Sequence, residues 1–171
     1  MRNQHISALM TRPGKAVTPE TGPAVTPGPL ELNVLFTGMD STAAALECAE
    51  SLARDLRASI HLHAAIAVPF QLPLEEPEVS VLFLQEKLRT LVAGMERERF
   101  QPKIHLYLCR DERRAISQVL KPNSLVVIGG RKHWWPTKES RMANALQSKG
   151  HRVIFVDSKA RSASEPAVLA R

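Results

Sequence analysis

Ser124-Leu-Val-Val-Ile-Gly129 and Arg152-Val-Ile-Phe-Val-Asp157 are the stretches that decide the fold of this chain. Between them lie a basic loop and an amphipathic segment, Thr137 to about Lys149, with Met142, Ala145 and Leu146 at helical spacing. An apolar run without polar alternation makes a strand buried on both faces. Two such strands joined by a helix run parallel, through a right-handed crossover. The last third of the chain therefore reads as strand, helix, strand in a covered parallel sheet.

Working outward, the same unit recurs. Leu32-Asn-Val-Leu-Phe-Thr37 is a short strand ending at Gly38, followed by a helix from about Ser41 to Leu56 with Ala45, Leu46, Ala49, Leu52, Ala53 and Leu56 on one face. Asp40 or Ser41 is expected to cap that helix, because either side chain accepts a free backbone N–H. Ser59 to Val68 is the second strand, and Lys103 to Cys109 the third. Between them Val79 to about Arg97 reads as a helix with Leu84, Leu88, Leu91 and Met95 on one face. Pro77 fits its first turn, and Glu75, Glu76 and Glu78 suit its positive end. Asp111 caps a short helix containing Ala115, Ile116, Val119 and Leu120. Five strands alternating with four helices define an α/β class: a doubly wound, five-stranded parallel sheet with helices on both faces.

The flanks differ in composition. Residues 1–30 hold Pro13, Pro19, Pro23, Pro27 and Pro29 among Thr, Gly and Ala, and read as a disordered Pro-rich leader. Residues 158–171, rich in Ser and Ala, read as a disordered tail, leaving 31–157 as the domain. The formal net charge of +6 is spread to suit this division, since residues 31–157 carry 17 basic against 15 acidic side chains. A nucleic-acid-binding domain concentrates its charge on the folded part, so no specific nucleic-acid partner is expected. No run approaches the roughly 18 apolar residues of a membrane helix and no h-region opens the chain, so the expectation is a cytoplasmic protein without membrane insertion. Cys48, on a helix face, and Cys109, at a strand end, share no metal-type spacing and read as buried, inert thiols.

This order of elements resembles the universal stress protein family, within the adenine-nucleotide α-hydrolase-like fold. The resemblance covers roughly residues 32–157 and rests on the turn Thr37-Gly-Met-Asp-Ser41 after the first strand, and on Leu-Val-Val-Ile-Gly-Gly130 followed by a basic loop, a helix and Arg152 to Asp157. It implies the strand order 3-2-1-4-5. It also implies a nucleotide site, with Gly38 or Asp40 at the family's first-strand aspartate and Gly129 at the first glycine of its phosphate loop. Lys132 then stands at the second glycine, Glu139 at the third, and Ser140 at the hydroxyl position. Glycines there let backbone N–H groups approach a phosphate with no Cβ in the way, and Glu139 adds a negative charge instead. A looser resemblance exists to the stress-protein-like module of osmosensitive potassium-channel histidine kinases.

The loop Gly129-Gly-Arg-Lys-His-Trp-Trp-Pro136 leaves the fourth strand where open α/β sheets bind ligands. Arg131 offers a planar fork for phosphate or carboxylate and Lys132 a point charge. Trp134 or Trp135 can stack on a base, grip a partner, or simply seal the top of the sheet. Gly38, Asp40, Gly129, Gly130, Arg131, Lys132 and Ser140 are accordingly the candidate ligand-binding residues. No motif requires a cofactor; ATP or another adenine nucleotide, weakly held, is the one the resemblance supplies. His61 and His63 share a strand face, with His105 on a neighbouring strand, but no carboxylate or cysteine joins them at ligand spacing, so they read as strand histidines and no metal site is expected. No Gly-x-Ser-x-Gly elbow accompanies Ser41 or Ser140, and no enzyme signature is found.

The expectation is a universal-stress-protein-like regulatory or ligand-sensing module with weak or lost nucleotide binding. It is expected to form a homodimer through the last strand and to serve a regulatory protein partner. The alternative is a nucleotide-independent interaction module serving a transporter or sensor kinase.

Overall fold

The computed structural model describes residues 30–74, 77, 80–94, 102–131 and 134–158. Their elements follow the order β1 (Glu31–Leu35), α1 (Met39–Leu56), β2 (Ser59–Ala67), α2 (Val81–Ala93), β3 (Lys103–Cys109), α3 (Glu112–Val119), β4 (Leu125–Gly130), α4 (Lys138–Gln147) and β5 (Arg152–Asp157). All strand pairs are parallel and the sheet order is β3-β2-β1-β4-β5. The chain thus reverses direction of winding between β1 and β4.

Period-two alternation sorts each strand between two cores. Leu32, Val34, Ile60, Leu62 and Val127 pack with Ala45, Leu46 and Ala49 of α1 and with Leu88 and Val92 of α2. Leu35, Tyr107, Val126 and Ile128 pack with Ile116 of α3 and with Met142 and Leu146 of α4. With so few aromatics, the core is built from aliphatic side chains, each contributing roughly 1.5–3 kcal/mol when fully buried. Asn33 is the buried polar residue of β1, on the α3 and α4 side.

Two expectations about helix starts change. Neither Asp40 nor Ser41 caps α1: the helix begins at Met39, and its N-cap is Gly38 at φ 146°, with no side-chain cap bond. The Gly38 carbonyl accepts the Thr42 N–H at 2.9 Å, and the fully buried Thr42 hydroxyl accepts the Thr37 N–H at 3.1 Å. Asp40 falls inside the first turn, where its charge suits the helix dipole. Pro77 does not enter α2, which starts at Val81 with the Ser80 hydroxyl accepting the Phe83 N–H at 3.4 Å. Glu75, Glu76, Glu78 and Met95 lie outside the described residues.

At the flanks, Leu30 and Ser158 belong to the domain. The Leu30 carbonyl accepts from the Ser59 N–H at 2.9 Å, and the Ser158 N–H donates to the Gly130 carbonyl at 3.0 Å. The rest of the leader and tail lies outside the described residues. The Asp111 cap is present, its carboxylate accepting the Arg114 N–H at 3.1 Å.

Candidate ligand cleft at the strand ends

The ends of β1 and β4 meet the first turn of α1 at very short range. A Cβ on Gly129 would lie 1.7 Å from the Ser41 carbonyl oxygen, so only glycine lets the α1 backbone rest on β4. The Thr37 hydroxyl donates to the Gly129 carbonyl at 2.7 Å, tying β1 to β4 at the same point. On the opposite face, a Cβ on Gly130 would meet Phe155 Cζ at 2.7 Å and Glu139 Cβ at 3.1 Å. Backbone packing thus requires glycine at 129, whereas at 130 the close neighbours are side chains.

Ser140 is similarly occupied. Thr137 is the N-cap of α4, its hydroxyl accepting the Ser140 N–H at 3.2 Å. The Ser140 hydroxyl in turn donates to the Thr137 carbonyl at 3.0 Å.

Two concavities flank α4. The first, about 160 Å³, opens over the ends of β1 and β2 between α3 and α4. Phe36, Ile116 and Met142 supply apolar wall, and Thr37, His63, Glu112, Lys138 and Glu139 supply the polar groups. Lys138 Nζ lies 2.7 Å from Glu112 Oε2, so the cleft's cation is already paired across α3 and α4. Its volume falls below the roughly 300 Å³ at which drug-sized ligand pockets begin. The second, about 240 Å³, runs on the outer side of α4 against β5 and is lined by Arg131, Trp135, Ser140, Asn144 and Phe155 among others. Trp134 stands next to Trp135 with ring centroids 4.5 Å apart, the two being 87% and 65% exposed.

The candidate residues are therefore divided. Arg131 and Ser140 line the outer groove; Gly129 and Gly130 serve packing; Gly38 and Asp40 start α1; Lys132, like His133, lies outside the described residues. None of those described lines the strand-end cleft, whose polar groups are Thr37, His63, Glu112, Lys138 and Glu139. Of these, the sequence draws attention to Thr37 in the turn after the first strand, to Glu139 at the third glycine position, and to His63 by its alternation with His61; Glu112 and Lys138 carry no such signal.

His63 forms the cleft floor within a buried polar chain. Its Nε2 lies 2.9 Å from Asn33 Oδ1 and its Nδ1 3.0 Å from the Tyr107 hydroxyl, while Asn33 Nδ2 donates to the Leu125 carbonyl at 3.3 Å. Since the Asn33 amide nitrogen is spent on Leu125, its oxygen needs a donor, which sets the proton on His63 Nε2. Nδ1 then accepts from Tyr107. Burial, and repulsion from His105 and His61 whenever those rings are charged, pushes His63 down to about 3. Burial also pushes Tyr107 up to about 12, so its hydroxyl remains a donor. Cys109 is buried, donates to the Ile66 carbonyl at 3.5 Å, and is pushed up to about 11 chiefly by desolvation, which leaves an unreactive thiol. Among the described residues no group of three or more His, Cys, Asp or Glu is placed to hold a metal ion, and no helix is long and apolar enough to cross a membrane.

No family model matches the sequence, and no curated protein matches it. A solved structure of a universal stress protein from Archaeoglobus fulgidus superposes with a TM-score of 0.52 and 14% identity, over 76% of this chain and 99% of that one. The fold is that of a universal stress protein. At such low identity the likeness extends to the fold alone. On the universal stress protein fold this chain places, at the strand ends, a small cleft with two carboxylates and one paired lysine.

Proposed function

We propose that this chain is a cytoplasmic regulatory or ligand-sensing module of the universal stress protein type, in which nucleotide binding is weak or lost. The observation that carries the reading is the filling of both glycine positions at the end of β4: the α1 backbone occupies the Gly129 side, and Phe155 with Glu139 the Gly130 side. A phosphate needs those backbone surfaces open. The remaining cations do not substitute well, because Lys138 is held by Glu112 and Arg131 faces the other groove. Calorimetry with ATP, ADP and AMP is expected to give dissociation constants no tighter than about 100 µM, equivalent to about −5.5 kcal/mol, with little discrimination among the three. Tight ATP binding that survives both Lys138→Ala and an Arg131→Ala, Lys132→Ala double substitution would overturn the reading.

The exposed Trp134 and Trp135 favour a second reading, a nucleotide-independent interaction module that grips a regulatory protein partner. Either reading includes a homodimer, formed by continuing the sheet across the open edge of β5. Ile154 and Val156 already pack on one core and Val153 and Phe155 on the other, so the backbone edge rather than the side chains is what a second copy would engage. Light scattering at micromolar concentration is expected to return twice the chain mass; a monomer there rules the dimer out.

A further inference from the structure

Where β2 meets the edge strand β3, the sheet face on the α3 side carries rings in place of aliphatic side chains. His61 and His105 have ring centroids 5.2 Å apart and planes within 3° of each other. His61 Nδ1 lies only 3.0 Å from His105 Nε2. Centroids so far apart with nitrogens so close mean that the rings meet edge to edge, through a nitrogen-to-nitrogen hydrogen bond between strands. The second nitrogen of His61 lies 3.2 Å from the Ser59 hydroxyl. Both rings are half-buried, whereas neighbouring His63 is buried and faces His105 with centroids 4.9 Å apart.

Such a bond holds one proton between two nitrogens. When the neutral pair takes up a first proton, that proton settles on an outward nitrogen, and the bond survives. A second uptake places N–H groups on both facing nitrogens, and the link becomes a repulsion between two cations. The surroundings set how readily each proton arrives. Lys103 of β3, in register with His61, and Lys121, before β4, oppose protonation. Glu31 of β1 favours it, although Lys121 holds that carboxylate at 2.7 Å. On the cleft side Glu112, Lys138 and Glu139 surround His63 rather than the pair. Desolvation, the largest influence, lowers both His61 and His105.

We propose that His61 and His105 form an acid-labile clasp that holds the edge strand β3 on β2. It stays shut on the first proton, opens on the second, and then loosens the first half of β3. The His63–Tyr107 bond nearer the strand ends involves a ring that does not take up the proton, so the opening is local to Lys103–Leu106.

Native-state hydrogen exchange tests this from about pH 7 down to the lowest pH at which the domain stays folded, below the ordinary imidazole range because burial and the neighbouring lysines lower both rings. After correction for intrinsic exchange rates, protection at Ile104–Leu106 relative to Val126–Ile128 is expected to fall about tenfold in the wild type as local opening becomes easier. In His105→Gln, whose amide donates to His61 Nδ1 without titrating, the ratio should stay constant. A constant ratio in the wild type, or a fall that persists in His105→Gln, overturns the clasp. Should that variant fail to fold, ring nitrogen resonances of the wild type decide: two well-separated proton uptakes by the pair support the clasp, and two independent, coincident titrations overturn it.

Discussion

Gly129→Ala is expected to unfold the protein, or to cost more than about 3 kcal/mol, beyond the usual range for an added methylene in a packed interior. The new Cβ would sit 1.7 Å from the Ser41 carbonyl oxygen and 2.5 Å from its carbon. Both are backbone atoms of the first turn of α1, so no rotamer change relieves the contact. Relief would require lifting that turn, which breaks the Thr37 hydroxyl bond to the Gly129 carbonyl and unseats the buried Thr42. Gly130→Ala is the control. Its Cβ would meet the tip of Phe155 at 2.7 Å, and a ring can swing aside, so about 1–2 kcal/mol is expected. Urea midpoints at constant slope compare the two. If Gly129→Ala melts with the wild type, α1 does not rest on β4 as described, and the support for weak nucleotide binding falls with it.

The same glycine shows where sequence reading stops. The strands were legible because continuous apolar runs such as Leu125 to Ile128 have no other stable place than the middle of a covered sheet. Crossover handedness then left few topologies, and the resemblance supplied the order found. The reason for Gly129, by contrast, is a contact with Ser41, far away in sequence, and nothing local distinguishes a glycine that admits a helix from one that admits a phosphate. Helix starts failed for a related reason. Asp40 and Ser41 are good caps by propensity, but Gly38 turns the chain earlier and Thr42 satisfies the Thr37 N–H instead. In the cleft, Lys138 and Glu112 look like solvated first-turn residues until α3 and α4 are brought side by side. Asn33 reads in the sequence as one polar residue of an otherwise apolar strand, and only the sheet gives it a partner in His63.

That partner, His63, makes stability depend on acid, and the expected size is large. His63 is 5% exposed, and burial holds it neutral down to about 3, against about 6.5 for a free imidazole. The folded value is the lower one, so below pH ~6.5 the unfolded chain binds a proton that the native chain refuses. Stability from this group is therefore complete above the unfolded value, declines as pH falls through it, and levels off only near the folded value. At about pH 4 the loss amounts to about 3 kcal/mol, a large share of a typical domain's stability. This differs from opening of the His61–His105 clasp, in which the native chain itself takes up protons. Carboxylates add their own acid lability, so the diagnostic is a difference between two chains. In His63→Gln, the amide can donate to Asn33 Oδ1 and accept from Tyr107 without titrating. It is expected to cost about 1–2 kcal/mol at neutral pH through imperfect fit, and to lose less stability than the wild type on acidification, so that the two converge or cross near about pH 5 to 6. Urea unfolding of both chains at intervals across that range measures it. Parallel profiles would mean that His63 is protonated in the native state, and that the Asn33–His63–Tyr107 chain is not closed to water.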